Sequence, residues 1–267
     1  PVIKQAKEGI EVTYDLHKAV DSTPRLKLDD ESRNIYFKDN KPLEENSIFI
    51  VPGLANTISL IAKNGRDGFY NGETAEKIVT AMNNNGGLFS KEDLESYKPY
   101  IREPIVANYR GNKVFTAGPP SGGGVTLLTA LNILDRYNLS KYQSNSTITY
   151  HLISEAIRRG HNNRSSVVGD PLYYDVPLNQ LLSNERIKEL ASTINLRKAS
   201  KASIVKPIEV INESRDTTHY SIIDSDGNAV SNTYTLGASF GSGVTIPGTG
   251  ILMNNQMNNL VYKSGDV

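Results

Sequence analysis

An α+β fold, or a layered sandwich of helices and sheets, is what this 267-residue sequence predicts. Helical periodicity fills the early and middle parts of the chain, and β-rich runs bounded by turn residues dominate its end. The regular strand–helix alternation that a doubly wound parallel sheet needs is missing. Hydrophobic residues make up 38% and charged residues 22%, a balance suited to an ordinary globular protein with a sizeable core.

In chain order, Val2, Ile3 and Ala6 share one helical face and Gly9 supplies a stop. Residues 17 to 51 are mixed and polar, with strand candidates at Ile35-Tyr36-Phe37 and at Ile48-Phe49-Ile50-Val51. Leu54 to Lys63 reads as a helix with Leu54, Ile58, Leu60 and Ile61 inward, closed by Asn64-Gly65. A second runs from Gly72 to Met82 with Ala75, Ile78, Val79 and Met82 inward. Ser90-Lys91-Glu92-Asp93 has the form of a capping box opening a short helix through Leu94 and Tyr97.

Pro104 to Tyr109 and Lys113 to Ala117 read as paired strands around Arg110-Gly111-Asn112. Helices are expected from Val125 to Tyr137, from Ser146 to Asn163, and through Ile187, Leu190 and Ala191 behind a Ser183 cap. Residues 195 to 216 are polar and irregular, the expected exposed linker before the last segment. That segment, 216 to 257, begins as a hairpin. Tyr220, Ile222 and Asp224 alternate with Ser221 and Ile223, Ser225-Asp226-Gly227-Asn228 supplies turn chemistry, and Ala229 to Leu236 returns. Its first strand opens on Thr217-Thr218, and the return strand carries Thr233 and Thr235, either of which a hairpin can set beside that opening.

Several chemistries are disfavoured. Lys+Arg and Asp+Glu both number 29, so neither nucleic acid nor an anionic membrane surface is called for. The chain has no cysteine, hence no disulfide, thiolate nucleophile or Cys-bound metal. No apolar run approaches the ~20 residues of a membrane helix. His17, His151, His161 and His219 show no i, i+4 pair of the kind that holds zinc on a helix, and no metal is expected. His151 and His161 are expected to be packed or solvated, and His219 to make a local hydrogen bond. Ser121-Gly122-Gly123-Gly124 lacks the Lys-Ser/Thr ending of a phosphate loop and reads as a turn that lets backbone approach closely. Gly241-Ser242-Gly243 reads as a bulge or turn.

For Thr217 and Thr218 the ordinary reading is β-propensity. Position adds another. A cut between Asp216 and Thr217 would give Thr217 a free α-amine with a pKa of about 7.7–8. Such an amine can serve as general base for the hydroxyl on the same residue. The hydroxyl could also make the cut itself, by attacking the preceding carbonyl.

Taken together the motifs resemble the γ-glutamyltransferase (glutathione hydrolase) family of N-terminal-nucleophile hydrolases. The most specific are Thr217-Thr218-His219-Tyr220-Ser221 with Asp224, Asp226-Gly227-Asn228-Ala229-Val230, Thr233-Tyr234-Thr235-Leu236, Phe240-Gly241-Ser242-Gly243, and Gly250 through Met257. Gly68-Phe69-Tyr70-Asn71-Gly72, Asn85-Gly86-Gly87-Leu88, Pro119-Pro120-Ser121-Gly122-Gly123 and Gly169-Asp170-Pro171 extend the match over essentially the whole chain. The resemblance implies a four-layer αββα sandwich and a precursor that cuts itself between Asp216 and Thr217. Residues 1–216 would then belong to a large subunit and 217–267 to a small one, both within one incomplete domain. Thr217 would be the nucleophile, carrying a γ-glutamyl ester that water or an amino-acid or peptide acceptor resolves. Glutathione-like γ-glutamyl amides would be the donors, without metal or organic cofactor. Thr235 falls where the family places a second hydroxyl beside the nucleophile, and Gln256 where it holds the donor's α-amino end. Relatives are secreted, periplasmic or surface-bound.

Two positions depart from the family. Gly237 stands in place of an Asn, and Asn259 in place of an Asp, and a neutral Asn offers the donor amine no ion pair. The donor is therefore less secure than the reaction. A poly-γ-glutamate depolymerase or acylase with the same nucleophile, or a non-catalytic binding or scaffold member, are the alternatives. Both chain ends read as cuts, and the family's substrate-carboxylate arginine, oxyanion turn and paired serines fall outside the sequence. The 267 residues alone are thus expected to be inactive.

Overall fold

The computed structural model of the chain describes residues 1–165, 167–201 and 217–259. Helices and short strands mix throughout, giving the α+β class that the sequence predicts. Strand pairing among the described residues is confined to two-stranded antiparallel ladders. The chain divides into two compact units, the first formed by Pro1–Pro99 with the described part of Asn212–Leu260, the second by the described part of Tyr100–Ile211.

In the first unit the opening helix Val2–Glu8 buries Ala6 and stops at Gly9, as its pattern requires. Ile10–Glu11 pairs with Ile48–Phe49, the part of the second strand candidate that is extended. The first candidate is corrected. Ile35 and Tyr36 close a helix, Asp30–Tyr36, and only Phe37–Lys38 is extended, paired with Lys41–Pro42. The aspartate ahead of the run decides this: the Asp29 carboxylate accepts the Ser32 N–H at 2.8 Å, and Asp30 and Glu31 sit in the first turn, where the helix dipole favours negative charge. Ser32 and Tyr36, one turn apart, are both buried, so helical spacing overrides aromatic β-propensity.

Pro52–Asn64 is the next helix, with Pro at its start and Gly65 at its end. Its buried residues are Ala55 and Thr57; of the four larger aliphatics expected inward, Leu54, Ile58 and Leu60 are half-buried and Ile61 is exposed. Thr57 turns inward because its hydroxyl donates to the Thr249 carbonyl at 3.0 Å. Gly72–Asn84 buries Thr74, Ala75, Ile78 and Ala81, leaving Val79 and Met82 partly covered. Both arms of the Ser90/Asp93 capping box form ahead of the helix Lys91–Ser96.

This unit is tied to residues far along the chain. Ile246 packs with Ala75, Ile78, Ala81 and Leu94, while Phe240 and Leu252 pack on the Val20, Leu26, Tyr36 and Phe37 cluster. Ser32 Oγ meets Thr245 Oγ1 at 2.7 Å, the Glu31 carboxylate accepts the Gly248 N–H at 3.0 Å, and Arg25 donates to the carbonyls of Gly241 and Ser239.

The second unit begins with a hairpin of Ile105–Tyr109 and Asn112–Thr116, in full antiparallel register across Arg110-Gly111. The following helix is Gly122–Leu134, so the glycine run is its first turn rather than a loop before it. Its glycines allow close contact, as expected: a Cβ on Gly124 would lie 2.0 Å from the Ala117 carbonyl oxygen. Gly124→Ala should destabilise the protein by about 1–3 kcal/mol in chemical denaturation. Gly123→Ala, whose nearest neighbour would be 3.7 Å away, should be neutral or stabilising.

The helices Thr147–Arg164 and Asn184–Ser192 start at the expected serines, whose hydroxyls accept the N–H groups of Thr149 and Arg186. Leu152, Ala156, Ile187, Leu190 and Ala191 pack with Ile133 and Leu134 as the core.

Within this core lies an ion pair that the apolar pattern does not announce. Glu155 is 1% exposed, and its carboxylate accepts from Arg159 Nη1 at 2.5 Å and from both the hydroxyl and the N–H of Ser200. Arg159 also donates to the carbonyls of Leu190 and Thr193. The expected exposed linker is therefore anchored at Ser200, and its residues 202–216, like residues 260–267, lie outside the described residues.

Candidate active site

The site is built on one hairpin. Thr218–Ile223 pairs with Ala229–Tyr234, Thr218 opposite Tyr234 and Ile223 opposite Ala229. Asp224 fixes the turn that sets this register. Its Oδ1 accepts the N–H groups of Asp226 and Asn228, and its Oδ2 the Asn228 side-chain amide at 2.9 Å. The Asn228 amide and these backbone donors hold the Asp224 carboxyl below its usual range.

Side chains alternate across the two strands. His219 shares a face with Thr217, and its ring makes the expected local hydrogen bonds: Nδ1 meets Thr233 Oγ1 at 2.7 Å, and Nε2 lies 3.2 Å from Ser231 Oγ and 3.3 Å from Ser221 Oγ. The other histidines are also hydrogen-bonded, His17 to the Leu43 carbonyl and His151 to that of Asn195, both far along the chain, and His161 to its neighbour Arg164.

One step beyond the last ladder pair, Thr217 and Thr235 face each other with their hydroxyl oxygens 3.4 Å apart. That exceeds the ~2.7–2.8 Å of a formed O–H···O bond, so a small movement brings them into contact. Both are exposed. Thr235 belongs to the bend after the strand, which ends at Tyr234 rather than Leu236, and its Oγ1 accepts the Gly237 N–H at 2.9 Å. Gln256 reaches the same place, its side-chain amide donating to the Thr235 carbonyl at 3.4 Å. Asn259 ends the short helical turn Gln256–Asn259. Asp216 lies outside the described residues. The structure thus brings Thr217, Thr235 and Gln256 together at one end of the hairpin.

Gly237 has a physical reason to be glycine. It is buried, its φ is +95°, and a Cβ built on it would lie 2.0 Å from Asn255 Oδ1. The Asn255 side chain, which sequence reasoning missed, fills the space beside it. A pointer was present in the run Asn254-Asn255-Gln256 directly after the apolar strand Ile251–Leu252. Phe240 and Gly241 form the expected tight turn, both with positive φ. Among the described residues no His/Asp/Glu group is arranged to hold a metal ion, and no helix is long and apolar enough to cross a membrane.

A threonine one residue ahead of a hairpin strand in an α+β chain is what the resemblance to N-terminal-nucleophile hydrolases leads one to expect, and the comparisons with known proteins agree. The gamma-glutamyltranspeptidase family model matches residues 1–266, and the chain belongs to that family. It is 38% identical to the glutathione hydrolase proenzyme of Escherichia coli strain K12, over 99% of this chain and 46% of that protein. In structure it is similar to gamma-glutamyltranspeptidase of Helicobacter pylori, with a TM-score of 0.73 and 31% identity over 81% of this chain and 63% of that one. It is also similar to cephalosporin acylase from Bacillus halodurans, with a TM-score of 0.84 and 29% identity over all of this chain and 48% of that one. The chain spans about half the length of the curated relatives it matches.

Proposed function

We propose that the protein containing this chain is a γ-glutamyl hydrolase and transpeptidase matured by self-cleavage between Asp216 and Thr217. The observation that carries this reading is the 3.4 Å approach of the Thr217 and Thr235 hydroxyls at the start of the hairpin. In the precursor, Thr217 Oγ1 attacks the Asp216 carbonyl and the peptide nitrogen leaves as the α-amine of Thr217. Water then hydrolyses the resulting ester. The new amine takes the proton from Thr217 Oγ1 as the hydroxyl attacks the donor's γ-carbonyl, and passes it to the departing amine. The γ-glutamyl ester left on Thr217 is resolved by water, giving glutamate, or by an amino acid or peptide, giving a new γ-glutamyl amide. In this reading Thr235 steadies the oxygen of the nucleophile, and Gln256 and Asn259 are the residues assigned to the donor's head group. Residues 1–216 would belong to the large subunit and residues 217–267 would begin the small one. The family resemblance favours glutathione as donor and a secreted, periplasmic or cell-surface location.

A second reading has a specific observation in its favour. Gly237 offers the donor no side chain, its space is taken by Asn255, and Asn259 brings no carboxylate. A related acyl or γ-linked amide could therefore replace glutathione with the nucleophile unchanged. Intact-mass measurement of the purified full-length protein tests the common core of both readings. Two fragments meeting at Asp216/Thr217 are expected, and a single uncut chain would overturn both. Release of glutamate from glutathione against release of an acid from a simple acyl amide then separates them.

A further inference from the structure

We infer that Asn255 is a positioning residue for the two reacting hydroxyls, an inference that rests on the reading of Thr217 as nucleophile. The grip is double. The Asn255 backbone N–H donates to the Leu236 carbonyl at 2.9 Å, and the Asn255 side-chain oxygen accepts the Ala238 N–H at 2.8 Å. The Leu236 carbonyl and the Gly237 N–H belong to one planar peptide unit, so fixing the first fixes the second. The Gly237 N–H is the donor that Thr235 Oγ1 accepts at 2.9 Å. The side-chain bond holds the next peptide plane, on the far side of Gly237.

Asn255 therefore clamps the peptide planes on both sides of a residue that would otherwise be the loosest point of the bend. A glycine can rotate freely about its own φ and ψ, and here φ is held at +95°. The side-chain oxygen also occupies the volume a Cβ on residue 237 would take, so the clamp and the glycine require each other.

The effect on chemistry runs through the Thr235 hydroxyl. The Gly237 N–H occupies one of its two acceptor positions and limits its rotation. In the resting site Thr217 donates toward Thr235 Oγ1, and the Thr235 hydroxyl is directed at the Gly237 carbonyl at 3.4 Å. Once Thr217 gives up its proton, the Thr235 hydroxyl turns to donate to it, and a hydroxyl that accepts a hydrogen bond is the better donor as negative charge develops on Thr217 Oγ1. This bond gains strength in the transition state more than in the bound donor, so its loss should appear in kcat rather than KM.

The test uses the full-length protein with Asn255→Ala and Asn255→Asp. The first removes the acceptor for the Ala238 N–H, and the second keeps an oxygen in the same place. Asn255→Ala should slow self-cleavage and lower kcat for the turned-over amide by about 10- to 100-fold, with KM within about threefold. Asn255→Asp should stay within about threefold of wild type in both. Wild-type rates in Asn255→Ala, a loss confined to KM, or an equal fall in both variants would overturn the inference while leaving Thr217 as nucleophile. A wild-type protein that is never cut would overturn the functional reading, and this inference with it.

Discussion

Thr217→Ala in the full-length protein is expected to leave a single uncut polypeptide and to lower amide turnover by about 10⁴-fold or more. Both losses follow from one atom. Without Oγ1 nothing attacks the Asp216 carbonyl, so the α-amine that would serve as base is never released, and no ester can form with the donor. Thr217→Ser keeps the oxygen and should cut and turn over, though more slowly, because the serine hydroxyl has more rotational freedom than the β-branched threonine. Thr235→Ala leaves the nucleophile and removes its neighbour at 3.4 Å, so cleavage should persist at a rate reduced by about 10- to 100-fold. Gel and intact-mass readings of the cut, with chromogenic γ-glutamyl anilide release for turnover, check the series. Cutting or turnover that survives Thr217→Ala would place the nucleophile elsewhere.

Glu155 is where a single substitution should cost the most stability. Replacing it with Ala leaves Arg159, 6% exposed, as an uncompensated charge in the second unit's core, a change worth about 3–5 kcal/mol in urea unfolding. Its acid dependence has a definite sign. Burial alone would raise this carboxyl, but bonds from the Ser200 hydroxyl, Arg159 and the Ser200 N–H outweigh it and bring the pKa from 4.5 down to about 2. A depressed folded-state pKa means that the stabilisation is complete above the unfolded value and disappears as pH falls toward the folded one. Wild-type stability should therefore include a component lost between about pH 4.5 and 2 that Glu155→Gln lacks. Unfolding curves of the two proteins should converge in acid. Curves that stay parallel through that window would mean the carboxylate does not carry this role.

What could be read from the sequence was local. Ser90, Ser146 and Ser183 cap helices because a hydroxyl satisfies an N–H two or three residues ahead, which spacing alone reveals. The 217–235 hairpin follows from alternation and an Asp-Gly turn, and it carried the Thr217–Thr235 approach with it. What stayed hidden depends on partners distant in the chain. Thr57 turns inward for a carbonyl 192 positions away, and Glu155 is satisfied by Ser200, 45 positions on. Ile35 and Tyr36 favour a strand by residue type, and the Asp29 cap with the burial of Ser32 against Thr245 reverses that preference. Gly237 was visible as a departure, but its reason, the Asn255 oxygen, is a contact across 18 positions that no local pattern encodes.

The bonds from Arg25, Asp29, Glu31, Ser32 and Thr57 to residues 239–249, with Ile246 seated among Ala75 and Ile78, bear on what a cut before Thr217 would do to the molecule. Every one joins a residue upstream of the cut to one downstream. Severing the backbone would change the covalent connectivity and leave this network whole. The two polypeptides should accordingly co-purify under native conditions and separate only in denaturant. Once unfolded they would meet again as a bimolecular encounter, so refolding of the mature form should depend on protein concentration where refolding of the uncut precursor does not. Maturation would then be a one-way step for the fold: the single chain sets the geometry, and the cut pair inherits a structure it cannot rebuild with the same ease.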